Sequence, residues 1–158
     1  MVTTMSNKTK IIQPVIREAT LSDAQEISEL IRSVAHYFTI DPAGVGAERF
    51  LQTITPEAIA GYIENDDIFY LAVVAGESIV GVGAVKNASH LFHLFVCEAY
   101  QGQQIARRMW NQLAPRLTGR PVTVNSTLAA VPVYEKFGFK IAGSKVERDG
   151  IAFVPMNK

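Results

Sequence analysis

Residues His90 to Arg108, HLFHLFVCEAYQGQQIARR, join an apolar run, a loop with one glycine and the start of a helix. Ile105, Met109, Leu113 and Leu117 continue at four-residue spacing, the apolar face of that helix. The leading N–H groups of a helix have no partner within it and lie at the positive end of its dipole. Gln101, Gly102, Gln103, Gln104, Ile105 and Ala106 span this point, so the chemistry on offer is the seating of a phosphate or pyrophosphate. Arg107 and Arg108 follow, and a guanidinium can grip a phosphate through two parallel hydrogen bonds. His90 and His93 sit three apart on the strand. They point to opposite faces unless a bulge intervenes, and no third metal ligand accompanies them. His93 is the candidate general base, with Glu98 behind it. Cys97 has no recognisable histidine and asparagine partners and reads as a small buried hydrophobe.

A second segment carries chemistry. Asn125 to Lys140, NSTLAAVPVYEKFGFK, reads as a strand ending in Asn-Ser followed by a helix that presents Tyr134. A phenol with a pKa near ~10 is a proton donor at neutral pH and can protonate a thiolate of pKa near ~8.5.

The two segments together resemble the GNAT superfamily of N-acyltransferases. Its acyl-CoA pyrophosphate loop runs Arg or Gln, two residues, Gly, one residue, Gly or Ala. Gln101 and Ala106 fit the first and last positions, and Gln104 stands where the family usually has glycine. A Cβ disfavours left-handed backbone by ~1–2 kcal/mol, so Gln104 is expected in ordinary helical geometry within the first turn. The later segment resembles the family's Ala-Val-Pro-x-Tyr-Glu-x-x-Gly-Phe helix. The resemblance covers nearly everything after residue 15. It implies an α/β (α+β) fold, a single domain with a mixed, mostly antiparallel sheet splayed at the fourth strand and flanked by helices.

It also implies an acetyl-CoA-dependent N-acetyltransferase, in which an amine attacks the bound thioester directly through a tetrahedral intermediate. Tyr134 takes the role of general acid toward the leaving thiolate. Leu94, Phe95 and Val96 act through backbone groups as oxyanion donor and pantetheine partner, and Asn125 helps hold the pantetheine arm. Gln101 to Arg107 take the pyrophosphate. The acceptor, a small molecule or a protein amine, is read by His36 to Phe50, which includes Tyr37, Asp41 and Glu48; a carboxylate facing the cleft would favour a cationic amine. A non-catalytic acyl-CoA sensor or scaffold of the same fold is the alternative, motivated by Gln104. A partner-binding domain with no cofactor is the third reading. The acceptor, the acyl length, the base and the oligomeric state, a homodimer included, are left open.

The elements that must position these residues follow from pattern. Strands are expected at Val15 to Ala19, Ile68 to Ala75, Ile79 to Val85, His90 to Cys97 and Val122 to Asn125. A terminal strand pair, Phe139 to Ala142 with Ile151 to Val154, is expected around Asp149-Gly150. Ser22 with Gln25 reads as a capping box before a helix faced by Ile27, Leu30, Ile31, Val34 and Phe38. A short helix is expected over Ala47 to Gln52. Thr55 and Pro56 read as the N-cap and first position of a helix to Glu64. Further helices are expected from Ile105 to Leu117, its last turn ended by Pro115, and from Ala129 to Lys136.

Composition bounds the rest. The 158 residues carry 15 basic and 15 acidic side chains, a balance that argues against general nucleic-acid binding. The longest apolar runs, such as Phe69 to Ala75, fall far short of the ~20 residues of a membrane span. One cysteine excludes an internal disulfide and fits a reducing, cytoplasmic setting. The polar start MVTTMSNKTK reads as a loose tail, residues 1–14, ahead of a domain over 15–158.

Overall fold

The computed structural model describes residues 13–158. The expected tail falls outside that range except for its last two residues, of which Pro14 accepts a hydrogen bond from the Arg108 guanidinium at 2.9 Å. The strands are β1 (Val15–Glu18), β2 (Ile68–Ala75), β3 (Ser78–Lys86), β4 (His90–Val96), β5 (Thr123–Ser126), β6 (Lys140–Ile141), β7 (Val146–Arg148) and β8 (Ile151–Asn157). The helices are α1 (Ala24–Ser33), α2 (Glu48–Leu51), α3 (Pro56–Glu64), α4 (Ile105–Leu113) and α5 (Val131–Lys136), with 3-10 turns at several of their ends. One eight-stranded sheet runs β1-β2-β3-β4-β5-β8-β6, with β7 on the free end of β8. Every pairing is antiparallel except that of β4 with β5.

The near-continuous apolar run of β2 follows from burial on both faces of the sheet. Leu71, Val73 and Ala75 pack toward α4 and α5 with Met109, Leu113 and Phe139. Tyr70 and Ala72 alternate to the other face and meet Ile27, Ile31 and Ile59 of α1 and α3. Thr55 caps α3 by accepting the Ala58 N–H at 3.1 Å, with Pro56 in the first turn, as its residue type predicts. Pro115 ends α4 as expected: the helix stops at Leu113 and a 3-10 turn carries the chain on to Arg116.

Three expectations are corrected. The capping box lies at Thr20 and Asp23, ahead of Ser22: the Asp23 carboxylate takes the Thr20 N–H at 2.8 Å. Arg17 holds that carboxylate in a two-pronged contact at 2.7 and 3.0 Å, and only a carboxylate can accept both. The terminal hairpin at Asp149-Gly150 joins β7 to β8, not β6 to β8; β6 pairs with the far end of β8. The Tyr134 helix starts at Val131, because Thr127 closes a turn by accepting the Ala130 N–H before it.

The Arg17 contact holds the Asp23 carboxyl below the usual carboxylate range. A group depressed in this way binds its proton more weakly in the folded chain than in the unfolded one. Its stabilisation is therefore complete above the ordinary value near ~3.9 and is lost as pH falls through the lower folded value. Arg17 is 43% exposed, which weakens the ion pair by solvent screening. Asp23→Asn is expected to cost about 1–2 kcal/mol in urea unfolding at pH 7, with the gap from wild type shrinking toward pH 2–3. A gap of the same size at both pH values would show that the carboxylate charge is not its source.

Candidate active site

Strands β4 and β5 pair only at His90–Thr123 and Leu91–Val124, then separate. The gap opens into a cleft of about 950 Å³ that passes from the α4 start to the face under α1 and α3. Cys97 N–H bonds to Val80 carbonyl at 2.9 Å, and Phe95 is paired with Val82. By the alternation of an antiparallel pair, Phe95 turns its backbone groups to β3, and Leu94 and Val96 turn theirs into the gap. Among the described residues the Leu94 backbone and the Val96 N–H are thus unpaired at the open edge, while the Val96 carbonyl is taken by Gln101 Nε2. Phe95 was expected to do the same and does not; its ring instead lines the opposite half of the cleft.

At the other side of this edge, α4 begins with three open N–H groups. The first helical bond is donated by Arg108 to Gln104 at 3.0 Å, leaving Ile105, Ala106 and Arg107 aimed out of the helix. Gln104 caps the helix with φ 67° and ψ 15°, the left-handed conformation. The expectation of ordinary helical geometry is wrong: the chain keeps the backbone shape a glycine would give and carries the Cβ penalty. Gln101 Nε2 donates to Val96 carbonyl at 3.0 Å and Gln103 Nε2 to Ala99 carbonyl at 3.3 Å, so both brace the loop. Gly102 sits at φ 78° with no atom near its missing Cβ. Arg107 stacks its guanidinium 4.8 Å over the Phe137 ring and lines the cleft, whereas Arg108 is turned away to Pro14.

Gln104→Gly should relieve that strain. We expect a gain of about 0.5–1.5 kcal/mol in unfolding free energy, with the bend at the α4 start preserved. A loss of stability would mean that the glutamine side chain makes a compensating contact.

Tyr134 packs edge-on against Phe137 and Phe139, with centroids 6.1 and 5.9 Å away, and lines the cleft at 7% exposure. Burial, with no hydrogen bond, pushes its phenol above the usual range and keeps the proton in place. Asn125 is exposed at the β5 edge and also lines the cleft, while Ser126 and Thr127 are spent on the turn before α5.

A bulge at Phe92, where β4 slips against Ala84 and Val85, turns Phe92 and His93 to the same face. Their rings stack at 4.1 Å and 12°. His93 is 7% exposed, and its Nδ1 lies 2.7 Å from the Tyr70 hydroxyl. This hydrogen bond ties Nδ1 to the hydroxyl, with the donor set by the tautomer. Burial, with His90 and Lys86 nearby, pushes the imidazole down to about 3. Buried, neutral and engaged with Tyr70, His93 is a weak proton acceptor, and the expected base reading does not fit this environment. Glu98 at the rim accepts from Tyr37 at 3.3 Å and lies 3.2 Å from His36 Nε2. Asp41 and Glu48 do not reach the cleft, because their carboxylates accept the Val45 and Gly46 N–H groups of their own loop. Sequence reading missed Tyr62, Lys86, Phe92, Arg148 and Phe153, all of which line the cleft. Lys86 and Arg148 close their strands, and Tyr62, Phe92 and Phe153 lie inside elements whose pattern marks no site.

Among the described residues no set of three His, Cys, Asp or Glu is grouped to hold a metal, and no helix is long and apolar enough to cross a membrane. Residues 38–158 match the family model of the acetyltransferase (GNAT) domain. No curated protein matches the sequence significantly. Among solved structures, the chain is similar to the PaiA N-acetyltransferase from Thermoplasma acidophilum in complex with coenzyme A, with a TM-score of 0.70 at 18% identity over 93% of this chain and 99% of that one. It is similar to the ribosomal-protein-S18-alanine N-acetyltransferase from Escherichia coli, TM-score 0.64 at 17% identity over 92% of each chain. An aminoglycoside 6'-N-acetyltransferase complexed with coenzyme A gives 0.61 at 15% identity over 91% and 96%. At these identities the likeness is one of fold.

Proposed function

The chain belongs to the GNAT acetyltransferase family, and on that premise we propose that it transfers an acetyl group from acetyl-CoA to an amine. The observation that carries this reading is the parted β4–β5 edge running from the open N–H groups of α4 to the Tyr134 hydroxyl. Those N–H groups, at a positive dipole end beside Arg107, suit a pyrophosphate. The open backbone of Leu94 and the Val96 N–H suit the amides of a pantetheine arm, with Asn125 across the gap. Acetyl-CoA supplies an activated thioester.

A backbone N–H at Leu94 or Val96 donates to the oxygen on which negative charge develops. Tyr134, protonated at neutral pH, gives its proton to the departing sulfur as the C–S bond breaks. The amine arrives from the face under α1 and α3 and must be neutral to attack, although a free alkylammonium has a pKa near ~10.4. Glu98, at the wet rim beside Tyr37, is the acceptor we assign to its proton. His93 holds the bulge through Tyr70 and Phe92, a positioning residue. The reading covers residues 15–158 and a cytoplasmic setting.

The sensor alternative rests on Gln104, whose backbone takes the left-handed shape glycine adopts freely while its side chain lines the cleft. The test is thermal unfolding with CoA or acetyl-CoA. Ligand at 100 times its dissociation constant should stabilise the fold by ~2.7 kcal/mol. No shift at millimolar ligand would remove the enzyme and sensor readings together.

A further inference from the structure

The acceptor half of the cleft is walled by aromatic rings: Phe38, Phe50, Tyr62, Phe92, Phe95 and Phe153. No aspartate or glutamate lines the cleft among the described residues, and Glu98, beside Tyr37 at its rim, gives a polycationic amine a single carboxylate to meet. The charged side chains that line this half are Lys86 and Arg148. Neither has a carboxylate partner among the described residues, and each instead lies over an aromatic ring, Lys86 Nζ 5.2 Å from the Phe92 centroid and Arg148 5.7 Å from that of Phe153.

Lys86 pairs with His90 across the β3–β4 ladder, at the end where β4 and β5 are still joined. The α4 start follows the opposite end of β4. Seven residues of strand separate the two ends by roughly 20 Å, so the phosphates of a bound acyl-CoA do not neutralise Lys86. A half-buried ammonium against an aromatic floor, without a counter-charge, is an incomplete ion pair. An acceptor that brings the missing anion would complete it and would place its apolar body on the rings.

Resting on the acetyl-transfer reading above, we infer that the acceptor is an amine bearing a carboxylate and an aromatic or apolar body, its carboxylate held by Lys86 with Arg148 at the rim. Paired probes test this: 4-(aminomethyl)benzoate against 4-methylbenzylamine, with spermidine as the polycation. In thiol-release kinetics, kcat/KM for the carboxylate amine should exceed that of its neutral counterpart by tenfold or more. Lys86→Met should bring this ratio near unity, and Lys86→Arg should keep most of it. A preference for spermidine, or a ratio untouched by Lys86→Met, overturns the inference. If none of the three is acetylated, titration of the same amines onto the CoA-loaded protein decides it. Tenfold tighter binding of the carboxylate amine, lost in Lys86→Met, supports the anion site, and equal binding overturns it whatever becomes of the catalytic reading.

Discussion

Tyr134→Phe is expected to lower the turnover number of acetyl transfer by roughly 10²-fold, the usual size of a general-acid contribution. The ring stays between Phe137 and Phe139, so packing is conserved and the hydroxyl alone is lost. Because that hydroxyl has no partner among the described residues, its removal strands no buried donor there, and stability should change by less than about 1 kcal/mol. CoA affinity, which draws on α4 and the β4 edge, should hold. The check is kcat under conditions where chemistry limits the rate, with CoA affinity measured in parallel. An unchanged kcat would take Tyr134 out of the mechanism. A fall in CoA affinity to match would make it a binding residue.

Gly150→Ala should carry a large stability cost. Gly150 has φ 78°, so an added Cβ brings ~1–2 kcal/mol of backbone strain. That Cβ would also run into the Gly46 carbonyl and lie 2.6 Å from the Ala47 nitrogen. Backbone cannot swing aside as a long side chain can, and overpacking of this kind costs ~1–3 kcal/mol. The sum is about 2–5 kcal/mol. Gly102→Ala is the control: it has the same φ and open space around the Cβ, and should cost only ~1–2 kcal/mol. The segment from Phe38 to Ala47 is tied to this hairpin, with Ile40 N–H on Gly150 carbonyl and Ala152 N–H on Phe38 carbonyl, each at 2.9 Å. Whatever Gly150→Ala displaces borders the acceptor half, so KM for the amine should rise while CoA affinity holds. Urea unfolding and the two constants measure this; equal losses in the two alanine variants would show that the close approach to Gly46 is not tight.

Much of the architecture was legible because local rules and tertiary packing agree. Thr55-Pro56 announces α3, the four-residue spacing from Ile105 announces α4, and the sheet opens at the fourth strand as the family resemblance implies. The failures have physical causes. Ser22 and Gln25 have the residue types of a capping box, but Arg17 recruits Asp23 and shifts the cap back to Thr20. Strand β7 offers Val146 between charged neighbours and no apolar alternation, so only its pairing with β8 reveals it. His90 and His93 lie three apart, and the bulge that reorients His93 leaves no mark in the sequence. Gln104 has a side chain that argues against left-handed backbone, and the loop imposes it nonetheless. The acceptor half was least legible. Its rings and cations come from α2, α3, β3, β4, β7, β8 and the turn after α1, and no spacing rule joins residues so far apart. Asp41 and Glu48 drew attention by their charge and turn out to serve their own loop.

The most direct test of acetyl transfer is a single-turnover experiment with the purified protein, [acetyl-¹⁴C]acetyl-CoA and a panel of amines that includes carboxylate-bearing, neutral and polycationic members. The account requires free CoA thiol and radiolabelled N-acetyl amine to appear together, one for one, with the rate falling about 10²-fold in Tyr134→Phe. Tight CoA binding with no acetyl amine formed from any member, or transfer at the wild-type rate in Tyr134→Phe, would contradict it.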